Sequence, residues 1–395
     1  MKIAIIVLSI ENGGITNLIL NFAKELRKKG HTPIIYTLNN KMDYLDKDSK
    51  NSIKSANLPD SKVKDYISPI SFLFYVYDLF RKSYRLFRLV ALDIDDIDIY
   101  NPHGWISQWA AVYLKFKKNA PIVWSFYDVW HIPGNEFSIE NRRFFRYGKK
   151  IILAPIDKLI SSRVDIIVSL SDKINKIALN YYHKKNKVIR SGISKDFFKF
   201  KKKPSKGKKF TFLCFSIFLP YRRFEDAVNA FEMLLIEYNY TYNLKLKIVG
   251  SDKYDSNYAA KIKDLIKKKN LQKFISLDNK TLRLKEVISN YTNSDVFIYP
   301  NEKQTWALCV VEAMAIGLPC IVSDDSGIHE IIKNNNNGFI YRTKDVNALY
   351  KKMDILYKNK SLRNKIGNNA SEFVYKNLLW EKFVNKMINI FKDLN

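Results

Sequence analysis

Apolar positions along the chain follow two periods, that of a buried strand and that of an amphipathic helix. The segment 2–9 (KIAIIVLS) is nearly all apolar and predicts a buried strand. In the segment 15–30 the apolar residues recur three and four positions apart, and basic residues and a glycine end it, so it predicts a helix. Another apolar run follows at 31–38. A strand, a helix and a strand this close together predict a parallel sheet with a right-handed crossover.

The alternation of strand and helix continues through most of the chain and predicts two doubly wound, Rossmann-like α/β domains. Further strands of the first domain are expected at 97–103, 121–128, 164–171 and 188–193. Strands of the second domain are expected at 210–220, 244–252, 273–278, 296–301 and 319–325. The last segment, 346–394, predicts helices alone. Because open α/β sheets bind ligands at the carboxyl ends of their strands, we expect a site in a cleft between the two domains.

The boundary between the domains follows from a basic, Lys-rich segment that lacks a hydrophobic period. We expect an N-terminal domain at 1–197, a basic linker at 198–209 and a C-terminal domain at 210–375. A C-terminal helix at 376–395 completes the chain, and one arrangement is that this helix packs back on the N-terminal domain.

The charge of the chain is strongly positive. It carries 67 Lys and Arg against 39 Asp and Glu, a formal net charge of +28. A field of this size attracts anions such as nucleic acid, an anionic membrane or phosphorylated substrates. Part of the excess reflects a general richness in Lys. No nucleic-acid recognition motif accompanies the charge, so we expect no nucleic-acid partner.

The cysteines and the start of the chain bear on its compartment. Cys214, Cys309 and Cys320 stand in apolar contexts without CxxC spacing. They predict small core residues in a reducing compartment, rather than a disulfide framework or a metal cluster. The first apolar run is too short for a secretory signal. We therefore expect a cytoplasmic protein, with attachment to the periphery of a membrane as an open alternative.

One stretch, 66–92, mixes aromatic residues with arginine and lysine. Pro69, Asp78 and the basic residues interrupt it too often for a membrane span. One interpretation is an ordinary helix that covers the first sheet. The other is a basic, aromatic amphipathic helix that lies on an anionic membrane surface.

The segment 300–330 (PNEKQTWALCVVEAMAIGLPCIVSDDSGIHE) carries the strongest chemical signal. A strand that ends at Pro300 is followed by a loop and by a helix that starts near Ala307. The first amides of a helix are unpaired and carry partial positive charge, so Ala307, Leu308 and Val310 predict a diphosphate site. Glu312 lies a little over one turn further, where its carboxylate can accept hydrogen bonds from two ribose hydroxyls.

Two arginines that follow the first strand of the second domain are expected to bind the same diphosphate. Arg222 and Arg223 lie in the segment 220–226 (PYRRFED). Guanidinium groups pair with phosphate oxygens and keep their charge. They would also stabilise negative charge that builds on a leaving diphosphate. We favour Arg222 as the ligand and Arg223 as the second choice, and the alternative is a pair of solvated arginines.

The segment 300–330 resembles family 4 glycosyltransferases of the GT-B fold. The matching residues are Glu312, Ala313, Met314, Ala315, Gly317, Pro319, Gly327 and Glu330. The resemblance implies a glycosyltransferase with a nucleotide-diphosphate sugar donor, such as a UDP-, GDP- or ADP-sugar, and it adds Gly327 and Glu330 to the donor-binding residues. It also implies retention of anomeric configuration, no metal, no organic cofactor, and an acceptor hydroxyl on a glycan, glycolipid or glycoprotein.

The chain departs from the family pattern at two places. Gln304 stands eight positions before Glu312, where the family has an acid near the donor sugar. Glutamine keeps the hydrogen bonding but loses the charge and any acid or base role, so we expect Gln304 to contact the donor sugar. Ser216 and Ile217 stand where the family has Gly and Arg, so one phosphate-binding arginine is missing.

The turn after the first strand resembles the first loop of the family. Gly13 and Gly14 would let the backbone approach a ligand closely. The resemblance places this loop against the donor phosphate and the acceptor, and Asn12 is assigned to the acceptor side. A plain tight turn is the alternative.

Three further residues of the first domain are site candidates by resemblance. His103, in NPHGW, ends a predicted strand, and in the family a histidine at this place points towards the anomeric centre. The alternative for His103 is a structural hydrogen bond. Tyr127 stands where the family often has a second histidine, and His131 could take that role, so both are assigned to the acceptor side.

Other function classes stay open on the sequence. The departures at Gln304 and at Ser216 suggest a non-catalytic, sugar-nucleotide-binding member of the fold as one alternative. A sugar-phosphate epimerase or a phosphorylase is another. The acidic segment 93–98 (DIDDID) has the Asp-x-Asp spacing of a metal site in other folds. Because it leads into a strand of the first domain, we interpret it as a solvated loop.

Overall fold

The computed structural model of the protein describes residues 1–11, 13–42, 50–57, 69–127, 129, 131–133, 148–200, 202, 209–303 and 306–395, and for 69–71 it describes the backbone alone. The chain forms two compact units. Unit 1 comprises Met1–Ser191 and Trp380–Asn395, and unit 2 comprises Gly192–Leu379. Each unit is built on one parallel β-sheet, so the predicted pair of Rossmann-like α/β folds is confirmed.

Unit 1 contains a seven-stranded sheet of order β3-β2-β1-β4-β5-β6-β7. Its strands are β1 (Lys2–Ile10), β2 (Thr32–Asn40), β3 (Ile53–Ser55), β4 (Ile99–His103), β5 (Val123–Phe126), β6 (Ile166–Ser169) and β7 (Asn186–Val188). The helices before residue 192 are α1 (Gly14–Lys28), α2 (Pro69–Ala91), α3 (Trp105–Lys115), α4 (Ala154–Ser161) and α5 (Asp172–Tyr182). The apolar run at the start of the chain is therefore β1, which lies near the centre of the sheet between β2 and β4.

One strand prediction in unit 1 is wrong in its position. The strand expected at 188–193 is β7, which ends at Val188. Among the described strands β7 pairs with β6 alone, and the last residue of β6, Ser169, lies opposite Val188. The chain beyond Val188 therefore has no strand beside it to continue the ladder.

Unit 2 contains a six-stranded sheet of order β10-β9-β8-β11-β12-β13. Its strands are β8 (Phe210–Phe215), β9 (Leu244–Val249), β10 (Ile275–Asp278), β11 (Val296–Tyr299), β12 (Cys320–Ser323) and β13 (Phe339–Tyr341). Its longer helices are α6 (Phe224–Glu237), α7 (Ser256–Lys268), α8 (Leu284–Thr292), α9 (Leu308–Ala315), α10 (Val346–Lys358) and α11 (Lys360–Asn377). The segment after residue 346 contains helices alone, as predicted.

Helix α9 is held tightly against α11. Gly317, which follows α9, has a φ of +85°, a conformation that favours glycine. A Cβ atom added to Gly367 of α11 would come within 2.1 Å of the Gly317 carbonyl oxygen. The Ser371 hydroxyl also donates a hydrogen bond to the Ala315 carbonyl at 2.8 Å. This close packing fixes the position of α9 in unit 2.

The end of the chain returns to unit 1 as helix α12 (Trp380–Leu394). The Phe22 ring of α1 lies 5.5 Å from the Phe383 ring and 6.4 Å from the Phe391 ring of α12. All three rings are buried. Helix α12 therefore completes the apolar packing around α1.

Helix α2 covers the sheet of unit 1 and also presents apolar side chains to solvent. Leu86 and Val90 are buried in the core beside the sheet, which confirms a helix that covers the sheet. Leu73, Phe74 and Tyr77 are 62%, 58% and 66% exposed. Over the residues that the structure describes, no helix is both long enough and apolar enough to cross a membrane.

Candidate active site

The amino end of helix α9 presents backbone amides without a side-chain cap. Ala307 precedes the helix in an extended conformation, and its side chain has no acceptor for the first amides. The Val310 amide donates to the Ala307 carbonyl at 3.2 Å. It is therefore not free to bind a diphosphate, contrary to the expectation from the sequence. The amides of Leu308 and Cys309 are those from which a bound anion could accept hydrogen bonds.

Glu312 on α9 is hydrogen-bonded to a tyrosine of a neighbouring helix. The Tyr291 hydroxyl of α8 donates to the Glu312 carboxylate at 2.9 Å and lies 3.1 Å from the Cys309 carbonyl oxygen. Burial raises the pKa of Glu312 to about 7, although the Tyr291 hydrogen bond opposes that rise. Tyr291 itself is fully buried, so it holds the carboxylate in one place.

Arg222 is buried at the carboxyl end of β11. Its Nη1 donates to the Tyr299 hydroxyl at 2.9 Å, and its guanidinium lies 4.8 Å from the centre of the Tyr221 ring. Burial raises the pKa of the Cys309 thiol to about 12, and the Arg222 charge acts against that rise. The hydrogen bond to Tyr299 places the guanidinium beside the last residue of β11, the strand that precedes α9.

Arg223 forms an ion pair with a carboxylate of the helix that follows it. Its Nε and Nη2 donate to the two carboxylate oxygens of Asp226 at 2.6 and 2.8 Å. The residue also has a φ of 50° and is the last residue before α6. Arg223 is therefore held by Asp226, and Arg222 is held in part by Tyr299.

Gly327 and Glu330 lie on a short 3₁₀ helix, Gly327–Ile331, after β12. Gly327 is buried and Glu330 is half-buried. The Ser326 hydroxyl that precedes them donates to the Ser323 carbonyl at 3.0 Å. Gln304 and Asn12, two further candidates, lie outside the described residues.

His103 ends β4 in unit 1 and is buried between two polar partners. Its Nε2 lies 2.9 Å from the Asn101 amide oxygen, and its Nδ1 lies 3.1 Å from the Tyr127 hydroxyl. Burial lowers the pKa of His103 to about 3, so the ring is neutral near pH 7. The neutral ring donates from Nε2 to Asn101 and accepts at Nδ1 from Tyr127. A direct role in catalysis stays a prediction.

His131 belongs to a buried polar cluster in unit 1. Its ring stacks on Trp105 with 4.7 Å between ring centres, and its Nε2 lies 2.8 Å from the Tyr182 hydroxyl. Tyr182 donates in turn to Asp157 at 2.7 Å. Burial lowers the pKa of His131 well below its usual range. The acceptor-side assignment of His131 and of Tyr127 stays a prediction.

In unit 1 the turn glycines are exposed, and two residues of the acidic segment pair with neighbouring side chains. Gly13 precedes α1 and Gly14 is its first residue, and both are exposed. In the acidic segment, Asp96 pairs with Lys2 at 2.8 Å, and Asp93 accepts from the Tyr36 hydroxyl at 2.7 Å. Across the described parts of the chain, no group of three or more His, Cys, Asp or Glu could hold a metal ion.

Three residues that hold other side chains in place are absent from the sequence prediction. Tyr291 and Tyr299 orient Glu312 and Arg222, and each is far along the chain from its partner. Asp157 is a buried carboxylate that accepts from Trp105 and Trp109 at 2.7 and 2.8 Å. For Asp157 the sequence did carry a signal, because it is an aspartate within the otherwise largely apolar stretch 151–160.

Two family models match the chain, one in each half. Residues 12–197 match the family described as glycosyltransferase family 4, and residues 195–373 match glycosyl transferases group 1. An uncharacterized glycosyltransferase from Haemophilus influenzae is 25% identical over 368 residues, which cover 91% of this chain and 92% of that protein.

Solved structures share the fold of the whole chain. Sucrose-phosphate synthase from Thermosynechococcus elongatus has a TM-score of 0.78 at 17% identity, covering 100% of this chain and 98% of that one. HepE of Anabaena, in complex with UDP-glucose, has a TM-score of 0.74 at 14% identity and full coverage of both chains. The two family matches together span nearly the whole chain and favour an enzyme over the other function classes. The chain belongs to the family 4 glycosyltransferases and is a glycosyltransferase of the GT-B fold.

Proposed function

We propose that this glycosyltransferase moves a sugar from a nucleotide-diphosphate donor to an acceptor hydroxyl with retention of anomeric configuration. The observation that carries the proposal is in unit 2, where Glu312 on α9 and Arg222 near the start of that helix are each fixed by a tyrosine. The structure of HepE with UDP-glucose shows that a protein of this fold binds such a donor. The acceptor would be a glycan, a glycolipid or a glycoprotein.

In this proposal the groups of unit 2 divide the donor between them. The Glu312 carboxylate accepts hydrogen bonds from the ribose hydroxyls. Arg222 and the amides of Leu308 and Cys309 bind the diphosphate, which suits a cation beside a helix amino end. Gly327 and Glu330 complete the donor site by resemblance. Arg223, which pairs with Asp226, is the second choice behind Arg222 as the cation that binds the diphosphate.

The proposed chemistry needs no protein nucleophile. The bond between the anomeric carbon and the diphosphate oxygen breaks, and its electron pair goes to the diphosphate. The acceptor oxygen bonds to the anomeric carbon from the same face, and its proton passes to the leaving diphosphate oxygen. Arg222 stabilises the charge that builds there. By resemblance Gln304 would contact the sugar and His103 would lie beside the anomeric centre. Both ring nitrogens of the neutral His103 are already hydrogen-bonded, to Asn101 and Tyr127, so it would act as neither an acid nor a base.

Substitutions of Glu312 and Arg222 test the proposal. We expect Glu312→Gln and Arg222→Ala to lower donor turnover by about 100-fold or more, the size found when one transition-state contact is lost. Matched controls are Glu237→Gln and Arg342→Ala, which change exposed residues of unit 2. The assay follows release of the nucleotide from UDP-, GDP- and ADP-sugars. Full turnover in a folded Glu312→Gln or Arg222→Ala protein would refute the assignment.

We further propose that the protein contacts an anionic membrane, where it meets a lipid-linked acceptor. Leu73, Phe74 and Tyr77 of α2 are exposed, and Arg85 and Arg88 follow on the same helix. Exposed apolar side chains beside basic ones are typical of helices that lie on anionic lipid. The net charge of +28 adds a general attraction to such a surface.

A further inference from the structure

Strand β9 of unit 2 alternates leucine and lysine, which is unusual for an inner strand of a parallel sheet. Leu244 and Leu246 are buried in the core, whereas Lys245 and Lys247 are half-buried on the opposite face. Inner parallel strands are normally apolar on both faces. Strand β9 pairs with β8 on one side and with β10 on the other, so these lysines do not lie on an edge strand.

A cavity lies over these lysines, between the sheet and helix α8. Its volume is about 480 Å³, within the range of small-molecule sites. We call it the lysine cavity, after Lys245, Lys247, Lys280 and Lys285, which line it. Hydroxyl and amide side chains of α8, among them Ser289 and Asn290, supply more of the lining.

The charge in the lysine cavity is not balanced. Its four lysines face two carboxylates, and Lys280 lies 3.7 Å from Asp278 and 3.5 Å from Glu286. Within the described parts of the chain, Lys245 and Lys247 form no ion pair with an acidic side chain. Burial and the charge of Lys245 lower the pKa of Lys247, although the Asp278 carboxylate acts against that fall. An anion in the cavity would relieve this repulsion.

Two buried polar atoms near the cavity also lack partners. The Asn290 amide oxygen and the Ser276 hydroxyl have no hydrogen-bond partner among the described residues. Ser276 of β10 lies opposite Lys247 in the sheet register, so both are on the same face. An acceptor oxygen and a hydroxyl beside lysines suit a ligand that carries hydroxyl groups as well as an anionic group.

The cavity differs in place from the proposed donor site. Its lining runs from Thr211 and Lys245, near the amino ends of β8 and β9, to Asp278 at the carboxyl end of β10. None of the described donor-site residues of unit 2 is among those that line it. Arg222 lies at the carboxyl end of β11, and Glu312 is on α9, which follows β11. We propose that the lysine cavity is a second binding site, which takes a small phosphate-bearing molecule independently of the nucleotide-sugar donor.

The test is calorimetric titration of the full chain with two probes, glucose 6-phosphate and pyrophosphate, with glucose as the neutral control. Each titration is run with and without a high concentration of UDP. We expect a probe to bind equally well under both conditions. Glucose 6-phosphate alone would indicate a sugar phosphate as the natural class, and pyrophosphate alone an inorganic phosphate. Either result supports the proposal that the cavity binds a phosphate-bearing molecule.

Paired lysine substitutions locate the site. Lys245→Gln with Lys247→Gln should weaken probe binding at least tenfold. The control pair, Lys261→Gln with Lys263→Gln, removes the same charge from an exposed face of α7 and should leave binding unchanged. Nucleotide-sugar turnover should persist in both proteins, which separates this proposal from that of the donor site.

Three results would overturn the proposal: no binding of either probe, equal weakening in the two pairs, or loss of binding when UDP is present. Thermal unfolding of each variant verifies that it is folded. Should the Lys245 and Lys247 pair fail to fold, NMR of ¹³C-methylated lysines in the wild-type protein gives a second measurement. Probe-dependent shifts confined to lysines outside the cavity would also contradict the proposal.

Discussion

At the scale of single residues, the site depends on a carboxyl group whose ionisation is unusual. Burial raises the pKa of Glu312 to about 7, and the hydrogen bond from Tyr291 favours the charged form. Ribose hydroxyls donate to a carboxylate, so the charged form is the one that binds the donor. Donor affinity should therefore fall as the pH drops through 7.

Removal of the Tyr291 hydroxyl should move this pH dependence. In Tyr291→Phe the stabilising hydrogen bond to the charged form is lost, so the pKa of Glu312 rises further. The pH at which donor affinity is half-maximal should shift upward by about one unit, and affinity at pH 9 should stay within about threefold of wild type. The measurement is the KM for the donor between pH 5.5 and 9.

The matched control is Tyr242→Phe, which changes an exposed tyrosine of the same unit. It should leave the whole profile unchanged. A structural role for Tyr291 alone predicts weaker binding by the same factor at every pH, so a uniform loss without a shift would contradict the account.

Asp157 is the residue whose loss should most destabilise unit 1. Its carboxylate accepts from the side chains of Trp105, Trp109, Gln108 and Tyr182. Asp157→Ala would remove one acceptor from each of these buried donors, while Gln108 keeps Ser161 and Tyr182 keeps His131 as a partner. We expect the free energy of unfolding to fall by about 3 kcal/mol. Urea unfolding followed by tryptophan fluorescence measures it. Exposed Asp264→Ala is the control, and a difference below 1 kcal/mol between the two variants would show that the cluster is unimportant.

The sequence predicted some site residues and missed others for a clear reason. Glu312 and Arg222 were assigned to the proposed site because they lie in short motifs beside predicted strand ends. Their partners, Tyr291 and Tyr299, are 21 and 77 positions away, and only the folded sheet brings them together. For His103 the sequence left two alternatives, a catalytic role and a structural hydrogen bond. The structure shows two hydrogen bonds to the ring, and the position of His103 at the end of a strand could not predict them.

At the scale of elements, hydrophobic periods located most strands and helices because long buried segments leave strong patterns. Two strands missed in the sequence, β3 and β13, have three residues each and lie at the edges of their sheets. A three-residue strand is too short to show alternation. Helix α2 covers the sheet with one face, as one interpretation of its segment predicted, and it exposes aromatic side chains on another. Contact of that exposed face with a membrane stays a proposal.

The exposed face of α2 leads to a prediction about membranes. Leu73→Ser with Phe74→Ser should weaken binding to phosphatidylglycerol-containing vesicles about tenfold, because two apolar side chains no longer enter the lipid. Ile236→Ser with Leu179→Ser, which removes exposed apolar residues elsewhere, should have little effect. Co-sedimentation with vesicles measures the bound fraction. Equal binding by the two double variants would argue against α2 as the contact. So would wild-type binding to neutral vesicles that is as strong as its binding to anionic ones.

At the scale of the whole molecule, unit 1 consists of two separate chain segments. Unit 2 lies between them in the sequence, and the segments that enter and leave it are hydrogen-bonded, the Ile193 amide donating to the Leu378 carbonyl at 2.8 Å. Helix α12 supplies Phe383 and Phe391 to the packing around Phe22. Unit 1 therefore depends on the last residues of the chain.

Truncation after Leu379 should destabilise unit 1 and leave unit 2 folded. Loss of α12 exposes the buried face of α1, and several kcal/mol of apolar burial are lost with it. Limited proteolysis should cut the truncated protein first within residues 1–191 while a fragment of 192–379 survives. Removal of only Asp393–Asn395, which are exposed or half-buried, is the control. An unchanged proteolysis pattern after the longer truncation would contradict this account.

The central claim is that Glu312 and Arg222 together hold a sugar nucleotide. The most direct test is a crystal structure of the protein with the UDP-, GDP- or ADP-sugar that most raises its thermal unfolding temperature. We predict ribose hydroxyls within hydrogen-bond distance of the Glu312 carboxylate and diphosphate oxygens on Arg222 and the first amides of α9. A nucleotide bound elsewhere in the protein, or with its diphosphate away from Arg222, would contradict the claim.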